Sequence, residues 1–255
     1  MLNVVVPMAG RGQRFVDAGY ELPKPLIPIH GHAMIRVVIA NLTPSCPHKF
    51  HFLVLREHVE RYGLADRLRA WTPGCEIAIV DHVTQGAACT VLLARDSIDS
   101  DQPLMIANCD QYIDANIDEY LASMCEADGL IMTMEADDPK WSFVRRDTNG
   151  RVTEVVEKVV VSTEATVGIY NFRRGRDFVK SADAMIGADF RVNGEFYVAP
   201  TYNELIRHGG DVRCHDIGNF GAGMHGIGTP QDLEAFCACA ISEKAVLSLM
   251  VSTGG

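Results

Sequence analysis

Short apolar runs alternate with segments of helical period through the first half of the chain, and this alternation limits the fold more than any other feature. LNVVVP (2–7), KFHFLVL (49–55), CEIAIV (75–80), PLMIAN (103–108) and GLIMTME (129–135) have strand length and near-continuous apolar character. Strands of that kind are buried on both faces of a sheet. Between them lie AMIRVVIANL (33–42), EHVERYGLADRLRAW (57–71), GAACTVLLARDSI (86–98) and NIDEYLASMCEAD (116–128). In the first of these, Met34, Ile35, Val38, Ile39 and Leu42 fall on one helical face. Repeated strand–helix–strand units require a mostly parallel sheet with right-handed crossovers and helices on both sides. The expected class is α/β: a three-layer sandwich around a central, mostly parallel mixed sheet.

The pattern changes after Asp138. Two strand-like runs flank Asn149-Gly150, a strong hairpin signal, and EATVGIYNF (164–172) is a further strand. Helical segments are expected at about 173–186 and 196–208, and a strand at DVRCHDIG (211–218). TPQDLEAFCACA (229–240) has the marks of a capped helix, with Thr229 as N-cap, Pro230 at N1 and Asp232 in the first turn. The tail VSTGG reads as frayed. With no repeat or linker, the expectation is one domain over 1–255, in two halves at 1–138 and 139–245. A hydrophobic fraction of 47% in 255 residues supplies ample core for it.

Charge and cysteine usage narrow the setting. A net charge of −10 disfavours a nucleic-acid groove. No apolar run approaches the ~20 residues that span a membrane, and MLNVVVPMAG has no basic leader region, so it reads as a buried strand. The eight cysteines form no C-x-x-C pair, which fits reduced thiols in a cytoplasmic protein. Zinc sites at Cys46/His48 or Cys214/His215 would each lack half a ligand set.

The chemistry begins where the first strand ends. Gly10-Arg11-Gly12-Gln13-Arg14 places two guanidinium groups in a glycine turn, and backbone amides plus arginine suit phosphate. The spacing is neither G-x-G-x-x-G nor a G-K-[ST] loop, which lowers dinucleotide and P-loop readings. Lys24 follows between Pro23 and Pro25 on a stiff segment, able to stabilise charge with little reorganisation.

AGRGQRF followed by LPKPLIPIHGHAMI resembles the sugar-phosphate nucleotidyltransferase family, of Rossmann-like (GT-A-like) fold. That family pairs a G-x-G-x-R loop with a K-P and a G-x-P-M-I element; Ala33 stands here in place of the proline. The resemblance implies that 1–138 is the nucleotide-binding half and 139–245 the acceptor-binding half. It implies nucleotide contacts from Ala9, Gly10, Arg11, Gly12 and Asn108, and a base-reading role for Gln85 and Gly86 in TQGAACTVLLA. Arg14, Lys24 and Asp110 become the catalytic set. Asp110, in IANCDQYID at a strand end, becomes the Mg²⁺ ligand, with Asn108 and Gln111 beside it. On the acceptor side it implies Glu157, Lys158, Gly168 and Glu195, with Asn193, Tyr197 and Asn203 as further specificity candidates.

One departure stands out. The family's closing segment carries an aspartate two residues before Gly-Thr-Pro, a second carboxylate for the metal, and here that position is Gly226. Either Mg²⁺ is held by Asp110, phosphates and water, or another acid such as Asp216 substitutes.

The implied reaction is transfer of NMP from an NTP to a phosphorylated sugar or sugar-like acceptor with release of pyrophosphate, Mg²⁺-dependent, in the biosynthesis of nucleotide sugars and polysaccharides. Its partners would be the NTP and the phosphorylated acceptor, with no nucleic acid or membrane, and a homo-oligomer is compatible. Two alternatives stand beside it. A GT-A-type glycosyltransferase would need a D-x-D pair, and 108–110 supplies one acid of the two. A non-catalytic nucleotide or sugar-phosphate binding module is motivated by Gly226.

Overall fold

The apolar runs resolve into one large sheet in the computed structural model, which describes residues 1–251. In chain order the strands are β1 (Leu2–Met8), the small hairpin β2 (Pro28–Ile29) and β3 (His32–Ala33), β4 (His48–Leu55), β5 (Glu76–Val80), β6 (Leu104–Ala107), β7 (Gln111–Ile113), β8 (Gly129–Glu135), β9 (Ser142–Arg146), β10 (Val152–Glu157), β11 (Glu164–Phe172), β12 (Val212–Phe220) and β13 (Gly223–Gly226). The main sheet runs β5-β4-β1-β6-β11-β8-β12-β13-β7. β5, β4, β1 and β6 are mutually parallel, as their helical crossovers require. β11 enters antiparallel between β6 and β8, and β12 returns parallel to β8. The β9–β10 hairpin turns through Asn149-Gly150, with Gly150 at φ 79°.

Period-two alternation builds the two faces. Val4, Val6 and Met8 of β1 pack into one apolar cluster with Phe50, Phe52 and Val54 of β4, beneath the helix at Met34–Leu42 and the helices at Pro230–Cys237 and Ala240–Val251. Val5, with Leu53 and Leu55, belongs to the opposite cluster, with Phe178 and Val179 of the helix at Gly175–Gly187 and Tyr202 of the helix at Tyr202–Arg207. The expected three layers are therefore present.

Several elements differ in detail from expectation. The segment 57–71 is two helices, Arg56–Tyr62 and Leu64–Trp71, parted at Gly63, whose φ of 62° no continuing helix tolerates. The helix expected over 86–98 is split into Ala87–Leu92 and Arg95–Ile98. Thr229 caps its helix as expected, its Oγ1 accepting the Asp232 N–H at 3.1 Å. The tail after Val251, read as frayed, lies outside the described residues. Among those residues no helix is long and apolar enough to cross a membrane.

Candidate active site

The carboxyl ends of β1 and β6 meet two segments that diverge from them, and a cavity of about 430 Å³ opens between. Its walls include Ala9 and Gly10 after β1, Lys24, the residues Val83, Thr84, Gly86 and Ala87, Asn108 and Asp110 after β6, and Glu195, while Gln85 is exposed outside it. Local conformation explains the first wall. Gly12 sits at φ 64°, and a Cβ there would lie 3.0 Å from the Lys24 Cβ, so glycine is what lets the PKP segment close on the loop. Among the described residues the backbone amides of Gly10, Arg11 and Gly12 find no acceptor. Three free N–H groups in succession are a ready anion cradle.

At the centre is one ion pair, with Lys24 Nζ 2.8 Å from Asp110 Oδ2. Burial works against the Lys24 charge, but Asp110 more than offsets it, so the ammonium is held firmly protonated. Arg14 lies close enough to act on Lys24 in the opposite sense, which places its guanidinium near the pair. Cys109 is buried beside them, and burial pushes its thiol up to about 11, so it stays protonated and is no nucleophile. Arg11 on the loop and Arg14 in the short helix Gln13–Asp17 are exposed, and neither lines the cavity.

Asp110 is locked from behind by the closing segment. Its carbonyl accepts the Ile227 N–H at 3.0 Å, and a Cβ on Gly228 would fall 2.6 Å from Asp110 Oδ2. Gly228 therefore permits this close approach. A Cβ on Gly226 would instead meet the Phe220 ring at 3.1 Å and Asp232 Oδ2 at 3.7 Å. Asp216, the other acid considered, is not among the residues lining this cavity; it is exposed and accepts the Gly218 N–H at 3.1 Å within β12. Among the described residues no three His, Cys, Asp or Glu side chains gather as a metal cluster. One carboxylate fits a hard cation that is bound mainly through phosphates, and does not make a cage for an ion held by protein alone.

A second cavity of about 260 Å³ adjoins the first, the two sharing Ala87 and Asn108. Glu157, Lys158 and Gly168 line it, as the acceptor-side expectation has it, together with Trp141, Ser142 and Tyr197. Lys158 holds a left-handed backbone, φ 57°, fixed by its N–H bond to the Trp141 carbonyl at 3.0 Å. Its ammonium donates to the Tyr197 hydroxyl and lies 4.4 Å from that ring's centre. Gly168 is at φ 81°, and a Cβ there would fall 2.2 Å from Asn108 Nδ2 and 2.8 Å from Gln111 Oε1.

Glu157 is buried, with the Ser142 hydroxyl donating to it. Burial pushes its carboxyl above the usual range, against the pull of Ser142 and Lys158. The folded state thus binds more protons than the unfolded state once pH passes the unfolded value of 4.5, and stability falls as pH climbs to the raised folded value. Glu157→Gln removes this titration. The melting temperature of the variant relative to the parent should rise as pH climbs above the unfolded value of 4.5 and level off once the raised folded value is passed. A difference that stays flat as pH climbs above 4.5 contradicts the burial account.

Not every expected residue faces a cavity as anticipated. Glu195, expected on the acceptor side, lines the first cavity. Gly86 lines that cavity too, but its φ of 134° serves packing: a Cβ would lie 2.4 Å from the Phe196 carbonyl oxygen. The Gln85 side chain accepts from Arg191 Nη2 at 2.6 Å across the top of this packing. Arg191 and the cavity position of Trp141 were not read from sequence. Trp141 has a packing role as well, 5.8 Å from Phe220, and Arg191 gave no local signal, being 106 residues from its partner.

Comparison with known proteins bears on this arrangement. Residues 4–183 match the nucleotidyl transferase family. The catalytic subunit beta of mannose-1-phosphate guanylyltransferase from Dictyostelium discoideum is 26% identical over 180 residues, covering 67% of this chain and 49% of its own length. The chain thus spans about half the length of that curated relative. A nucleoside-diphosphate-sugar pyrophosphorylase from Vibrio cholerae superposes with a TM-score of 0.82 at 24% identity, over 92% of this chain and 100% of that one. The inositol-1-phosphate CTP transferase of T. maritima gives 0.70 at 16% identity, over 99% and 96%. At those identities the superpositions establish a shared fold.

Proposed function

We propose, for a chain that belongs to the nucleotidyl transferase family, that it transfers the NMP moiety of an NTP to the phosphate of a phosphorylated sugar or sugar-like acceptor and releases pyrophosphate. The observation that carries this is the Lys24–Asp110 pair beside three free backbone amides, in a cavity that opens into a second one holding Lys158. A site for one phosphate chain adjoins a site for another phosphate.

An acceptor phosphate is already anionic, so the reaction needs no general base. Catalysis is positioning plus neutralisation of charge on the α-phosphate and the departing pyrophosphate. The amides of residues 10–12 cradle the terminal phosphates. Lys24, held charged, and Arg14 face the growing negative charge. Lys158, braced by Tyr197, holds the acceptor phosphate as a point charge. Gly168 keeps the second cavity open. Mg²⁺ is part of this reading: Asp110 would hold it together with the triphosphate, and it would supply charge neutralisation between phosphates. A cytoplasmic setting also belongs to the reading, supported by eight cysteines that all stay free.

The test is pyrophosphate release with each of the four NTPs and dTTP against a panel of hexose 1-phosphates, alditol phosphates and choline-type phosphates. Release that depends on both one NTP and one phosphorylated acceptor is expected. NTP binding without turnover across the whole panel would favour the non-catalytic module, and transfer from a nucleotide sugar without pyrophosphate would favour a glycosyltransferase.

A further inference from the structure

Two lysines line the second cavity, and the reacting phosphate accounts for one of them. Lys158 donates to the Tyr197 hydroxyl and lies over that ring. Lys140 stands on a different support. Its ammonium lies 5.0 Å from the Trp141 ring centre and 4.8 Å from that of Phe220, over two aromatic faces that attract a cation. Those two rings touch, with centres 5.8 Å apart, and among the described residues neither pairs with the Tyr197 ring. The fold keeps room for this platform: a Cβ on Gly226 would fall 3.1 Å from Phe220 Cε2, so the glycine leaves the ring its place. The Lys140 ammonium has donors to spare. Its ion pair with Asp138 is long, 3.4 Å, and about half-exposed on both sides, so it contributes little and engages one of three donors. Asp138 does not line the cavity, and its Oδ1 accepts the Lys140 backbone N–H at 2.9 Å. Glu157, the carboxylate among the lining residues, is buried and turned to the Ser142 hydroxyl. Two ammonium groups on separate supports, against one buried carboxylate, leave the cavity positive at two points.

We propose that Lys140, on its Trp141–Phe220 platform, binds a second anionic group of the acceptor, so that the substrate carries a carboxylate or a further phosphate besides the phosphate that reacts. The inference rests on the acceptor role proposed above for this cavity and deepens it. A neutral sugar phosphate answers the charge of Lys158 and leaves that of Lys140 unmet. A compound with anionic groups at two points neutralises both, and the ammonium gains charge-assisted hydrogen bonds in place of a long, screened ion pair.

Isothermal titration in the presence of non-transferable α,β-methylene NTPs reads the preference without requiring turnover. The probes are a hexose 1-phosphate, the matching hexuronic acid 1-phosphate and the matching hexose bisphosphate; the last two tell a carboxylate from a phosphate. The dissociation constant for the better of these two should be about fivefold or more below that for the hexose 1-phosphate. Lys140→Met should bring that ratio to about one by weakening the two-anion compound alone. Phe220→Leu, which takes away one of the two faces under the ammonium, should lower the ratio part-way. Lys158→Met should weaken all three probes alike. Binding of the hexose 1-phosphate as tightly as both two-anion probes overturns the proposal, as does a ratio that survives Lys140→Met. Binding of none of the three removes the acceptor role of the cavity and this inference with it. A two-anion preference without pyrophosphate release on supplying the NTPs themselves would leave this inference standing and remove the catalytic one; turnover with no gain from a second anion would do the reverse.

Discussion

Lys24→Met lowers kcat/KM for pyrophosphate release by about 10²–10³-fold while the protein stays folded. Among the described residues that line the first cavity the lysine is the one ammonium, kept charged by Asp110 and carried on a segment stiffened by flanking prolines. Charge held in place before the reaction needs no reorganisation as the α-phosphate gains negative charge, which is why its loss falls on the transition state. The fold loses little. The Lys24 and Asp110 side chains keep 18% and 27% of their surface exposed, so Asp110 recovers solvation when its partner goes. Circular dichroism and melting should be close to the parent's, with the loss confined to turnover. Near-normal turnover would remove Lys24 from the chemistry, and a collapsed melting curve would make its role structural.

Gly168→Ala is the second large effect, and it falls on stability and acceptor binding together. The residue lies in β11 where the register with β8 shifts, between Thr166 and Tyr170. Its carbonyl accepts the Asn108 N–H at 3.0 Å, tying the second cavity to the segment after β6 that bears Asp110. A methyl group there meets Asn108 Nδ2 at 2.2 Å with the backbone at φ 81°. Strain from the left-handed backbone and overpacking add to a cost on the order of 3 kcal/mol, or a melting temperature lower by about 10 °C. The acceptor KM should rise more than the nucleotide KM, because Asn108 must move into the acceptor cavity. Gly150→Ala is the control: φ is 79° but nothing lies within 4 Å, so only the strain of about 1 kcal/mol remains. Equal losses in the two variants would show that backbone strain alone, and not the crowded cavity floor, explains Gly168.

The part of this picture legible from sequence is the part encoded locally. Strand length and apolar continuity specified β1, β4, β6 and β8, because a strand buried on both faces has no alternative composition; the same signal marked β5, which lies at the sheet edge and leaves Ile79 exposed. Asn149-Gly150 and Thr229-Pro230 marked a turn and a cap for equally local reasons. The loop at 10–14, Lys24 and Asp110 were found through their pattern, and the structure brings Lys24 and Asp110 into contact across 86 residues. What local pattern could not carry was long-range pairing. Nothing in EATVGIYNF states that it inserts antiparallel between β6 and β8, since strand order is decided by crossovers elsewhere in the chain. Gly86 was expected beside the base, and the close approach of the Phe196 backbone that also requires glycine there is visible only in three dimensions. Arg191 belongs to the same class, its partner Gln85 lying on a distant segment; Tyr197 was a candidate from sequence, but its contact with Lys158 is visible only in three dimensions.

The account's central claim is that an acceptor phosphate attacks the α-phosphorus of a nucleoside triphosphate. The most direct measurement uses the phosphorylated acceptor that supports pyrophosphate release, with ¹⁸O in its phosphate, and reads the products by mass spectrometry. The account predicts that the label appears wholly in a product joining NMP to the acceptor phosphate, and that the pyrophosphate is unlabelled. Labelled inorganic phosphate, or NMP formed with the acceptor unchanged, would contradict it.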